Sequence, residues 1–261
     1  MNRSQPIDLP DTAWRGLYRA GGAAALVAVL FFRRNFGAEL IGFRGFGLFD
    51  VPAAPPVTAA EWFTLLQHTP FVGLALLGLV DLVNYVLVGL LFLALYGALR
   101  RANKSAMVVA TALAFVGIAV YLASNPAFSM LALSHQYAAA STEARRAALS
   151  AAGEALLAID NPGVTYQGTG TYASLLLVLL AGLVVSVVML RSDVFGRAAA
   201  YVGLLANGLA LGYFVALAVA PAYIALPMVA SAPFRVVWYV LIALRLFRLG
   251  RVQKEALLKP A

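Results

Sequence analysis

Residues 71–99, FVGLALLGLVDLVNYVLVGLLFLALYGAL, form an apolar run long enough to cross a bilayer, and its only strongly polar members are Asp81 and Asn84. These two stand three apart, on one face of a helix. An ionisable group inside such a run costs about 3 kcal/mol on insertion scales, so Asp81 is expected to face protein or a wet cavity rather than lipid. The run dictates a membrane-spanning helix and makes Asp81 the leading polar candidate in the chain.

The remainder is of the same kind. Of 261 residues, 62% are hydrophobic and 11% charged, whereas about 25% are charged in a soluble domain. The formal net charge of +8 sits mostly beside hydrophobic segments, where basic residues orient a membrane protein, so nucleic acid is not an expected partner. The absence of cysteine excludes disulfides, thiol catalysis and Cys-ligated metal or iron–sulfur clusters. Both histidines, His68 and His135, fall in connecting segments, which disfavours a buried bis-histidine haem. No cofactor is expected.

The pattern reads as an all-α integral membrane protein with six transmembrane helices, at about 17–32, 71–99, 105–123, 172–190, 198–220 and 228–249. The first, bounded by Arg33 and Arg34 with no small-residue cleavage site, reads as an uncleaved helix whose Arg19 snorkels to the surface. Two long connections, 33–70 and 124–171, contain short helices. Thr58 and Glu61 have capping-box spacing before WFTLL, and a second helix is expected over 142–159, stopping at Asn161-Pro162. YQGTGTY reads as a turn. Gly208 and Gly212 have the small-xxx-small spacing that permits close helix contact. Prolines 221, 227 and 233 predict a kinked or broken start to the sixth span, and residues 250–261 form a tail.

Counting Lys and Arg orients the six spans. Thirteen fall on one side: Arg3, Arg15, Arg19, Arg100, Arg101, Lys104, Arg191, Arg197, Arg245, Arg248, Arg251, Lys254 and Lys259. Five (Arg33, Arg34, Arg44, Arg145, Arg146) fall on the other, and Arg235 lies within a span. Both termini are then cytoplasmic and both long connections face outward. Tyr18, Tyr96 and Tyr201 are expected at the inner interface, and Tyr121, Tyr172 and Tyr223 at the outer one.

The segments GLFDVPAAPPVTAAEWFTLL, NPGVTYQGTGTY, MLRSDVFGRAAAYVGLLANGLALGY and SAPFRVVWYVLIALRLFRLG give the chain a texture that resembles the domain of unknown function 4386 family of bacterial multi-pass membrane proteins. The resemblance runs from the first long connection to the tail. It implies a protein of the bacterial cytoplasmic (inner) membrane and brings no catalytic residues with it.

No HExxH, GxSxG or SxxK pattern occurs, and the glycine-rich stretches neither follow a strand nor open a helix in a βαβ unit. No enzyme activity and no metal site are therefore expected. Asp50, Glu61, His68, His135, Glu154 and Asp160 include metal-capable types, but no ligand spacing relates them. The intramembrane polar residues Asp81, Asn84, Asn207 and Arg235 serve either as interhelical ties or as a binding site. Asp81 and Arg235 fall at similar depths, which would let them pair. The bilayer is the expected partner, with anionic lipid at the basic tail; a protein partner is not specified. The reading is a structural or accessory membrane protein, with a small-solute or ion permease built on Asp81, Asn84 and Arg235 as the alternative.

Overall fold

The computed structural model describes residues 14–32, 52, 54–162, 164 and 168–251. The segment GFRGFG with Arg33, Arg34, Arg44 and Asp50, and the tail beyond Arg251, lie outside the described residues. Among those described, every regular element is helical: α1 (Arg15–Phe32), α2 (Ala59–His68), α3 (Pro70–Leu76), α4 (Leu79–Leu99), α5 (Lys104–Ser124), α6 (Ala127–Ala139), α7 (Glu143–Ile159), α8 (Thr169–Leu190), α9 (Arg197–Val219), a 3-10 turn (Pro221–Tyr223) and α10 (Ala225–Arg251). Five stretches of these helices, Leu79–Leu99, Lys104–Ala139, Thr169–Leu190, Arg197–Val219 and Pro221–Arg251, are long and apolar enough to cross a membrane. The chain divides into two compact units.

One unit comprises Met1–Val29, Leu87–Ala112 and Ala181–Ala261. Small residues set its packing. Gly21, Ala24, Ala25 and Ala28 share a face of α1, and at Gly21 there is no room for a Cβ beside Ala94 of α4. Helices α9 and α10 pack together along their length. The close approach on α9 falls at Gly203, against Ser186 of α8 and Trp238 of α10, rather than at Gly208, where nothing lies within 4 Å. Of the small-xxx-small pair at 208–212, only Gly212 meets α10, where a Cβ would stand 3.2 Å from Pro227 Cβ. Arg19 donates to the carbonyl of Gly250 at 3.2 Å, meeting the free carbonyl end of α10 instead of only snorkelling outward. Arg245 donates to the carbonyl of Val194 and fastens the 191–196 loop, where Phe195 is buried. The three prolines near the last span do not break it after its start. Pro221 lies in the 3-10 turn, Pro227 in the first turn of α10, and Pro233 within a helix that continues to Arg251.

The other unit comprises Leu30–Val86 and Leu113–Leu180. Its core joins Trp62, Phe63 and Leu66 of α2 to Met130 of α6 and Leu157 of α7, and Gly153 of α7 leaves no room for a Cβ between Ala59 and Phe63. Polar bonds fix the same contacts. The Thr58/Glu61 capping box forms as its spacing predicts, and Glu154 of α7 accepts the Ala59 amide at 2.7 Å. Both capping glutamates are thereby used at the first turn of α2. Thr142 caps α7, which ends at Ile159, as read from the sequence.

Three readings of the sequence are revised in this unit. The run 71–99 is not one helix: α3 stops at Leu76 and α4 begins at Leu79, with Gly78 between them at φ +91°. Its apolar composition hid the break. The connection 124–171 holds a further helix, α6, whose first turn is capped by Asn125 Oδ1 accepting from the Ala127 amide at 3.1 Å. The SNP sequence reads as a stop, and it is also a start. The end of YQGTGTY, from Thr169, is helical rather than a turn.

Candidate functional site

The break at Gly78 is where polar side chains of one unit converge. A left-handed backbone suits glycine, and a Cβ added there would stand 2.7 Å from Tyr121 Oη and 2.8 Å from Asn125 Nδ2, with Asp81 Oδ2 at 3.9 Å. Asn125 Nδ2 donates to the carbonyl of Leu77 at 2.9 Å, so one side chain satisfies the end of α3 and caps the start of α6. Tyr121 of α5 donates its hydroxyl to the carboxylate of Asp81, in the first turn of α4. Its ring stacks on Tyr85 with centroids 4.2 Å apart.

Asp160 extends the cluster. It is buried and accepts from Thr171 Oγ1 at 2.9 Å, and it acts on Asp81 through space. Burial pushes its carboxyl above the ordinary carboxylate range, and the bond from Thr171 draws it partly back.

Of the four polar residues singled out from the sequence, Asp81 and Asn84 belong to this unit. Asn84 is 6% exposed and its Oδ1 has no hydrogen-bond partner. Asn207 and Arg235 belong to the other unit. Asn207 donates to the carbonyl of Gly203 at 2.8 Å while its amide fills the space that a Cβ on Gly182 would take, a tie between α8 and α9. Arg235 donates to Ser231 Oγ at 3.3 Å, one turn back on α10.

Tyr121, Asn125, Asp160 and Thr171 were not singled out for this place. Tyr121 was assigned to an aromatic belt, yet it is 6% exposed and directed to a carboxylate; Tyr18 is likewise buried, whereas Tyr201 and Tyr223 stay exposed as a belt requires. In the sequence Asp160 stands out only as one of several metal-capable side chains in the connections. The usable signal was the polar content of the two sequences that border spans, SNP at 124–126 and the stretch from Asp160 to Ser174. Among the described residues no three His, Asp or Glu side chains are grouped as a metal would need. No protein-family model, curated protein or solved structure matches the chain.

Proposed function

We propose that the chain is a six-span protein of the bacterial cytoplasmic membrane, akin to the domain of unknown function 4386 family, with a structural or accessory role and no enzyme activity. The observation that carries the role is that Asn125, beside Gly78, is spent on backbone with both ends of its amide, tying α3 to α6. In this reading α2, α3, α6 and α7 form an ordered cap on the outer side, both termini are cytoplasmic, and the basic tail rests on anionic lipid. With no native cysteine, single cysteines report the topology. Replacements of Ser105 and Ser192 should resist an impermeant thiol reagent added outside, and replacements of Ala60 and Ala151 should react; the reverse pattern overturns the orientation.

The alternative, a small-solute or ion permease, draws support from one feature, the interruption of the apolar run beside Asp81, since discontinuous helices line sites in transporters. Flux separates the two. Proteoliposomes holding the purified chain should keep sodium and proton gradients as well as empty vesicles do, and a leak abolished by Asp81→Asn would replace the accessory reading with the permease.

A further inference from the structure

Helices α6 and α7 leave a groove between them at one end of their hairpin. It has a volume of about 490 Å³ and is lined by Ser129, Ala132 and Leu133 of α6 and by Ala152, Ala155 and Ile159 of α7. Ser129 is its one polar side chain, and no charged side chain lines it. Phe128, next to Ser129, is 60% exposed and Ile159 is 52% exposed. An apolar surface left open in this way marks a place where protein or membrane is met.

The chain fixes this end of the hairpin to the ends of two apolar spans. α5 ends at Ser124 and α6 begins at Ala127, so the groove opens within two turns of the end of a span. α7 ends at Ile159, and Asp160 after it accepts from Thr171 Oγ1, in the first turn of α8, at 2.9 Å. Those two span ends meet, since Gly170 leaves no room for a Cβ beside Ser124 Oγ. Charge collects at the opposite end. Glu143 and Arg146 pair at 3.0 Å in the first turn of α7, and Arg145 donates to Gln136 of α6 at 3.4 Å. With α7 about 25 Å long, groove and charges are well apart along the hairpin. Glu154 lies between groove residues in sequence, but its carboxylate is spent on the Ala59 amide.

The apolar surface also continues that of the span. Phe115, Val116 and Leu122 of α5 are exposed, as side chains facing lipid are, and Phe128 follows them on α6. The whole stretch Lys104–Ala139 is apolar enough to cross a membrane. A headgroup or a charged peptide would find no counter-charge in the groove, and water would find a single hydroxyl to hold it. Hydrocarbon needs neither.

We infer that the groove between α6 and α7 takes an acyl chain from the adjoining leaflet, so that the hairpin rests on the bilayer by its apolar end and holds its charged turn clear of it. This occupancy presupposes the membrane reading above, and it holds whichever side of the membrane that leaflet faces.

The test uses the full chain in nanodiscs of phosphatidylcholine, with or without bromine on the upper part of the acyl chains. The chain has no cysteine, so single cysteines carrying a bimane fluorophore can be placed at Val116 in the span, at Ala132 or Ala155 in the groove, and at Ala147 toward the charged end. These positions are exposed, which lets them accept a label. Bromine quenches on close approach, and an apolar surface resting on a bilayer sits about 5–10 Å into the headgroup–acyl boundary, so labels at Val116, Ala132 and Ala155 should lose about half their emission while Ala147 keeps its own. Ala132→Phe, which fills the groove from α6, should release the Ala155 label from quenching and leave the Val116 label quenched. Quenching at Val116 without quenching at Ala132 and Ala155 overturns the acyl-chain assignment and leaves the membrane reading standing. Equal quenching at Ala147 and Ala155 also overturns it, because the hairpin then lies flat without using the groove, as does quenching at Ala155 that Ala132→Phe does not change. No quenching at Val116 removes the membrane reading itself, and the assignment with it.

Discussion

Tyr121 donates its hydroxyl to the carboxylate of Asp81, joining the last turns of α5 to the first turn of α4 directly beside the left-handed Gly78. A bond to a charged group is worth about 1.5–3 kcal/mol. Tyr121→Phe should lower stability by about that amount, because it leaves the carboxylate without its donor. Asp81→Asn should recover part of the loss when added to Tyr121→Phe, since it removes the charge that was stranded. Thermal unfolding of the four chains in detergent measures the coupling; strictly additive losses would show that Asp81 draws its stabilisation elsewhere.

The glycines give a paired contrast. Gly78→Ala forces a left-handed alanine, costing about 1–2 kcal/mol, and drives its Cβ against Tyr121 and Asn125. A total loss of about 2–4 kcal/mol is expected. Gly208→Ala, in the middle of α9 with open space around it, should instead be neutral or stabilise by up to about 1 kcal/mol. Equal effects at the two sites would mean that the break at Gly78 is not held by its surroundings.

What the sequence disclosed follows from which signals are local. Hydrophobic length revealed the apolar spans, and the Thr58/Glu61 spacing revealed a helix start, because both are written within a few residues. The break at Gly78 was hidden, since a glycine in LLGLVD is compatible with an apolar helix until Tyr121 and Asn125, over forty residues on, fill the space beside it. The same distance concealed the cluster: Asp81 stood out because it interrupts an apolar run, whereas Asp160 and Thr171 sit in or near sequence where polar residues are ordinary. Asn207 was legible as an interhelical tie or a site residue, and its place against Gly182, with its bond to the carbonyl one turn back, matches the tie.

The cap on α2 predicts a pH dependence. The amides of Val57 and then Thr58 hold the Glu61 carboxyl below its ordinary range. A lowered folded-state value means that the contribution is present above the unfolded value of 4.5 and is lost as pH falls through the lower folded value. Glu61→Gln should therefore be less stable than the parent at pH 7, with the difference closing below pH 4.5. Amide exchange of residues 57–61 should follow the same course. A difference that persists unchanged at acid pH would mean that the carboxylate does not act through its charge.

Asp160 should show the opposite sign. Burial raises its folded-state value above the ordinary 3.8 of an aspartate, so between 3.8 and that raised value the folded chain holds a proton that the unfolded chain has released. Its contribution to stability then falls as pH rises through that window, and the full cost of the buried charge remains above it. Asp160→Asn keeps an oxygen to accept from Thr171 and removes the charge. The variant should equal or exceed the parent in Tm at pH 8, and its advantage should shrink as pH is lowered toward 4. If the parent instead gains on the variant as pH rises, the Asp160 carboxylate is stabilised as an anion by a group other than Thr171.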